Sequence, residues 1–137
     1  MIDVLFVCVH NAGRSQMAEA LFNAEAARRG LPFRAASAGT IAGKAVNPVA
    51  VAAMAEMGIN IADAKPKAVT QRMADDARRI ITMGCGVDAE ACPARFMVTE
   101  DWGLDDPAGQ PIEVVRRIRD EIAHLVSGLL DELEARR

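Results

Sequence analysis

"IDVLFVCVHNAGRSQMAEA", residues 2–20, decides how the rest of the chain is read. Ile2–Val7 is an almost unbroken apolar run rich in β-branched side chains, the pattern of a strand covered on both faces. Cys8 closes that run, and Arg14 follows six positions later with Ser15 beside it. Behind them Met17, Ala20, Leu21 and Ala24 recur at helical spacing as far as Gly30, with Ser15 standing where a helix N-cap is expected. The stretch therefore predicts a strand, a short loop and a helix, with a thiol and a guanidinium at the junction.

Similar units follow. Phe33–Gly39 is a second short strand candidate ending in a glycine turn. Asn47-Pro48 supplies a cap and a first-turn proline for a helix that closes at Gly58. Arg79–Gly84 reads as a third buried strand and Arg95–Thr99 as a shorter fourth. From Pro111 onward Val114, Val115, Ile118, Ile122, Leu125, Val126, Leu129 and Leu133 form an apolar stripe of period 3.6. Arg116, Arg117, Arg119, Asp120 and Glu121 cover the other face. Alternating strands and helices predict parallel β-α-β units in an α/β fold, and no repeat or linker divides residues 1–137. Such sheets bind ligands beyond the carboxyl ends of their strands. Cys8, ending the first strand, and Cys85, following the third, would share that rim.

Composition narrows the class. The chain has 137 residues, 51% of them hydrophobic and 26% charged, which suits one globular domain with a real core. A net charge of −3 gives no basis for a nucleic-acid or anionic-membrane partner, so any anion site has to be local. The opening apolar run is too short to span a bilayer and has Asp3 where a secretory leader would carry a base. The expectation is a cytoplasmic monomer. Three cysteines, Cys8, Cys85 and Cys92, do not suit a secreted disulfide framework. In a reducing compartment such residues are small buried hydrophobes, metal ligands or reactive thiols.

The five residues between Cys8 and Arg14 favour the last of these. A loop this short, Val9, His10, Asn11, Ala12 and Gly13, can turn successive backbone N–H groups around a tetrahedral oxyanion, and the helix behind adds its positive end. Ala12 and Gly13 let the backbone approach closely, and Asn11 tolerates left-handed φ. Arg14 offers a planar fork for two anion oxygens. Dipoles, helix terminus and cation together favour the thiolate form of Cys8, and the Ser15 hydroxyl can donate to it. A cysteine ending a buried strand is often simply core. The flanking strand, small residues, serine and helix turn the balance toward a nucleophile beneath a phosphate-like ligand. No role is assigned to the His10 side chain.

These residues resemble a known family. "CVHNAGRS" followed by "QMAEA" is similar to the signature loop of the low-molecular-weight protein tyrosine phosphatase family, in the branch that holds arsenate reductases. The resemblance continues through "SAGT" (37–40), "NPVAVAAMAEMGI" (47–59), "ITMGCG" (81–86) and "EDWGLDDPAG" (100–109). It implies a four-stranded parallel sheet flanked by helices, Cys8 as nucleophile, and Asn11, Arg14 and Ser15 in support. It also implies that Asp106, directly before Pro107, reaches over the loop as general acid, a role suited to a carboxyl buried beside the anion. An acidic turn is the plainer reading of Asp105-Asp106-Pro107. Phosphatases of the family carry aromatic residues near the site. This chain has no tyrosine, one tryptophan (Trp102), and Ala108 after the proline, which suits a small inorganic oxyanion better than phosphotyrosine.

Cys85 and Cys92, seven apart, admit a zinc reading, a structural reading and a redox reading. With two histidines in the chain and an unusual interval, a metal site is disfavoured, and no cofactor is expected. The redox reading fits the resemblance: Cys85 attacks Cys8, Cys92 then attacks Cys85, and the spacing is similar to that of reductases recharged by thioredoxin. Seven residues on a helix separate two thiols by about two turns, so the segment between Gly84 and Pro93 would have to unwind. Two alternatives remain: recharging by a low-molecular-weight thiol with a glutaredoxin-like partner, and a phosphatase for small phosphoesters that needs neither distal thiol. An oxyanion-binding or arsenic-responsive regulator would normally add a DNA-binding segment, and the sequence shows no basic patch or separate helix-turn-helix pattern. Potassium-responsive relatives place an acidic residue near the position of Lys67, beside equivalents of Asn11, Glu19 and Ser37. A lysine there implies little potassium dependence.

Overall fold

In the computed structural model residues 2–84 and 98–137 are described. Four parallel strands form one sheet: β1 (Ile2–Cys8), β2 (Ala35–Gly39), β3 (Ala77–Thr82) and β4 (Glu100–Asp101). The helices are α1 (Arg14–Arg28), α2 (Pro48–Ala55), α3 (Gln71–Asp76) and α4 (Ile112–Ala135). The spatial strand order is β2-β1-β3-β4. The chain leaves β1 for β2 on one side and later returns to β3 on the other, so β1 sits at the reversal of strand order. Its carboxyl end is where a crevice opens in such sheets. The fourfold parallel architecture expected from the resemblance is present.

Alternation along β1 sorts its side chains. Val4, Phe6 and Cys8 face the core built with α1, α2 and α4, whereas Leu5 and Val7 face a smaller cluster with Val69, Ala74 and Ile80 beside α3. Phe6 is fully buried and packs edge-on against Phe22, with ring centroids 6.2 Å apart, and tilted against Trp102, with centroids 5.3 Å apart. The α4 stripe buries Val115, Ile118, Ile122, Val126 and Leu129 as its periodicity requires, together with Leu130. Glu56, at the end of α2, takes Arg116 and Arg119 from α4, and those guanidiniums hold its carboxyl down at about 2.

Helix ends follow their caps. Past α1, Gly30 adopts φ +69, its N–H bonds Ala27 O, and Leu31 N–H bonds Ala26 O, a Schellman closure. The Asn47 side chain caps α2 by accepting from Val49 N at 2.9 Å, with Pro48 in the first turn.

Two expectations are corrected, and one helix is added to those read from the sequence. The fourth strand is Glu100–Asp101 rather than 95–99. Thr99 instead donates its N–H to Ile80 O and accepts from Ile80 N–H on its hydroxyl oxygen, just before the regular pairing starts. Residues 95–97 lie outside the described residues. The short helix α3, capped by Thr70, carries too few apolar positions to show a period. Ser15 does not cap α1: the helix starts at Arg14 after Gly13 without a side-chain cap, because Ser15 is turned inward.

Replacing Phe6 by alanine should lower stability by about 3–5 kcal/mol, since a packed aromatic leaves a cavity that two ring neighbours cannot fill. Urea unfolding should show a lower midpoint at unchanged slope. A loss below 1 kcal/mol would contradict the packing described.

Candidate active site

The loop from Cys8 to Arg14 is held from outside. Its carbonyls at Cys8, Val9, His10 and Ala12 accept from the N–H groups of Thr40, Ile41, Gly43 and Asn47 at 3.1, 2.8, 2.8 and 2.7 Å. In a trans peptide the N–H points opposite to the carbonyl. Pinning those four carbonyls outward therefore turns the amides of Val9, His10, Asn11 and Gly13 inward. Asn11 confirms the direction, since its N–H reaches the Cys8 sulfur at 3.2 Å while its backbone takes φ +55.

Cys8 is 4% exposed, and its Sγ lies 2.8 Å from Ser15 Oγ. Surrounding bonds settle which atom donates. Asn11 Oδ1 accepts from Gln16 Nε2 and Lys67 N, so the amide orientation is fixed and Asn11 Nδ2 donates to both Ser15 Oγ and Ser37 Oγ. Ser37 in turn gives its proton to Glu19 Oε1 at 3.0 Å. Ser15, already an acceptor, keeps its one proton for the sulfur. The sulfur thus receives an N–H and an O–H, an arrangement that stabilises negative charge on it. Among the described residues no buried side-chain polar atom lacks a partner.

Arg14 is almost buried at the mouth of this loop. Its Nη1 hydrogens go to Met83 O at 3.0 Å and Leu104 O at 2.9 Å. The Nε–Nη2 edge remains for two oxygens of an anion. Asp106 Oδ2 is 3.9 Å from Nη2, and Asp106 Oδ1 accepts from Ala108 N at 2.9 Å. The Asp106 side chain is 65% exposed, so the expectation of a buried carboxyl is corrected: it stands at the open rim beside the guanidinium. Asp105 also lines the cleft.

The cleft encloses about 470 Å³, and among the described residues no phenylalanine or tryptophan lines its wall. Trp102 is instead buried in the core against Phe6. His10 lines the mouth, its Nδ1 3.1 Å from Ile41 O. Gly84 lines the opposite wall, whereas Cys85 and Cys92 lie outside the described residues. Among the described residues no cluster of three or more histidine, cysteine or acidic side chains could hold a metal, and no helix is long and apolar enough to cross a membrane. Lys67 Nζ stands 3.8 Å from Glu19 Oε1, so an ammonium occupies the neighbourhood that the resemblance gives to a cation.

Sequence reading missed two structural contributors. Gly39 abuts the loop so closely that a Cβ there would lie 2.5 Å from Val9 O and 3.0 Å from Asn11 N. The segment 40–47 supplies the N–H groups that hold the loop carbonyls outward and so turn its amides inward. Gly39 falls within "SAGT" and Asn47 opens "NPVAVAAMAEMGI", but neither stretch shows by itself what it touches. Only the requirement that pinned carbonyls find donors could have pointed to them.

A comparison with protein families matches residues 3–137 to the low molecular weight phosphotyrosine protein phosphatase model. A Bacillus cereus protein named arsenate reductase 1 is 38% identical over 121 residues, 87% of each chain. A Synechocystis protein named glutaredoxin arsenate reductase is 34% identical, covering 97% of this chain and 99% of its own. Among solved structures, one described as an arsenate reductase in the phosphate binding state superposes with a TM-score of 0.80 at 34% identity, over 96% of this chain and 98% of that one.

Two outcomes check the site. Gly39→Ala should cost about 1–3 kcal/mol by overpacking and weaken phosphate binding, measured by calorimetry; unchanged binding would contradict the close contact with Val9. Exchanging sodium for potassium should leave the thermal midpoint of the wild type unchanged, because Lys67 already supplies a cation. A rise specific to potassium would contradict that placement. The fold, the pinned oxyanion loop and the near end-to-end match lead to one conclusion: the chain belongs to the low molecular weight phosphotyrosine protein phosphatase family.

Proposed function

We propose that the protein reduces arsenate to arsenite, with Cys8 as nucleophile and Cys85 and Cys92 as a thiol relay recharged by thioredoxin. The observation that carries this reading is the Cys8 sulfur, which accepts from Asn11 N–H and Ser15 O–H at the floor of a cleft that no phenylalanine or tryptophan lines among the described residues. The names of the Bacillus cereus and Synechocystis relatives support arsenate as substrate.

The chemistry balances as follows. Arsenate sits among the loop amides with two oxygens on the Nε–Nη2 edge of Arg14. The Cys8 thiolate attacks arsenic, an As–O bond breaks, and that oxygen leaves as water after receiving a proton from Asp106. Asp106 Oδ1 is engaged by Ala108 N–H, so Oδ2 is the oxygen that carries the proton. Arsenic is still pentavalent in the S–As adduct. The Cys85 thiolate then attacks Cys8 Sγ: an S–S bond forms, the S–As bond breaks, and its electron pair stays on arsenic, which departs as trivalent arsenite. Two thiols have lost two electrons. Cys92 attacks Cys85, the disulfide passes to Cys85–Cys92, and Cys8 returns as thiolate. A dithiol protein reduces the outer disulfide and closes the cycle.

Thioredoxin is favoured because Cys92 is present as a third thiol. The Synechocystis relative's name favours a second reading, in which a glutaredoxin-type partner supplies the electrons. A phosphatase would use Cys8, Arg14 and Asp106 alone.

The test supplies arsenate, NADPH and either thioredoxin with its reductase or glutathione with glutaredoxin. NADPH consumption should be sustained in the first mixture and should stop in Cys92→Ser. Turnover in the second mixture alone would reassign the partner. Undiminished turnover in Cys92→Ser would remove that thiol from the mechanism, and loss of activity on arsenate with rapid hydrolysis of p-nitrophenyl phosphate would favour the phosphatase.

A further inference from the structure

The loop that carries Asp106 is tied down on both sides of that residue. On the amino side, Leu104 O accepts from Arg14 Nη1 at 2.9 Å. On the carboxyl side, Pro107 O accepts from Asn47 Nδ2 at 3.4 Å. Between them the Pro107 ring lies against the oxyanion loop so closely that a Cβ on Gly13 would sit 2.8 Å from Pro107 Cγ. Only a glycine lets the two loops touch there.

Asn47 makes three separate attachments. Its backbone N–H holds Ala12 O at 2.7 Å, which turns the Gly13 amide inward. Its Oδ1 accepts from Val49 N at 2.9 Å and caps α2. Since Val49 N–H can only donate, the amide orientation is fixed, and Nδ2 is left to face a group that can only accept, the Pro107 carbonyl. The side chain also lines the cleft. One residue thereby links the helix start, the oxyanion loop and the loop of the acid.

We propose that Asn47 is a positioning residue for Asp106: it sets the height of the Asp106-Pro107 turn over the oxyanion loop, and so the distance from Asp106 Oδ2 to the departing oxygen. The inference rests on the reading of Asp106 as general acid. Holding one end of a short turn is sufficient to matter, because proton transfer needs the acid within hydrogen-bond reach of its target. The attachment has no part in gripping the anion. Any residue except proline supplies the backbone N–H to Ala12 O, so substitution leaves the cradle in place.

Asn47→Ser keeps a capping oxygen for Val49 N–H and the backbone donor, but its side chain is too short to reach Pro107 O. The expected result is a fall in kcat of about tenfold, in line with a misplaced general acid, with the inhibition constant of phosphate and the thermal midpoint unchanged. The double variant with Asp106→Asn separates positioning from a general structural role. Asn47→Ser should cost nothing further in that background, because the group it positions is gone. An unchanged kcat in Asn47→Ser, or a full additional loss on top of Asp106→Asn, would overturn the inference while leaving the acid assignment intact. An Asp106→Asn variant as active as the wild type would instead remove the acid assignment and this inference with it.

Discussion

A sulfur atom that receives hydrogen bonds from two sides while giving none is the constraint on which the site depends. Cys8 gains an N–H from Asn11 and an O–H from Ser15, and both donors are oriented by bonds made elsewhere. The chain of orientation runs from the Glu19 carboxylate through Ser37 and Asn11 to Ser15, each step decided by which partner is able only to accept or only to donate. Burial would ordinarily penalise a charge on the sulfur. Here the protein supplies donors already in place, so little reorganisation is needed when the charge appears.

The same logic extends to the anion. Four loop carbonyls are satisfied from the segment after β2, which turns the amides on the other side of the loop toward the cleft. The N-terminus of α1 lacks a side-chain cap, and Arg14 has two of its hydrogens fixed on carbonyls of the two neighbouring loops. A tetrahedral oxyanion completes all three deficits at once. A cleft with no phenylalanine or tryptophan in its wall among the described residues suits a small ion better than an aryl ester.

Much of this was legible in the chain because its signals are local. The β1 run, the Asn47-Pro48 cap, Gly30 and the α4 stripe each follow from residue type and spacing, and the structure places them within a residue or two of expectation. The Cys8–Arg14 loop was legible for the same reason. What escaped depends on contacts distant in sequence. Ser15 reads as a cap until Cys8 and Asn11 are beside it. Gly39 looks like an ordinary turn until Val9 is found against it. Asp106 was expected to be buried, yet its environment is set by Arg14 from another element and by an open rim. The fourth strand was placed a few residues early because an apolar run, not the pairing with β3, was the available guide.

The most direct measurement is the rate at which Cys8 is alkylated near neutral pH, followed by peptide mass analysis with iodoacetate and iodoacetamide in parallel. If the sulfur is held as a thiolate within an anion cradle, Cys8 reacts faster than free glutathione, prefers the anionic reagent, and is protected by phosphate. A Cys8 that reacts no faster than glutathione, shows no preference for iodoacetate and is indifferent to phosphate would contradict the account.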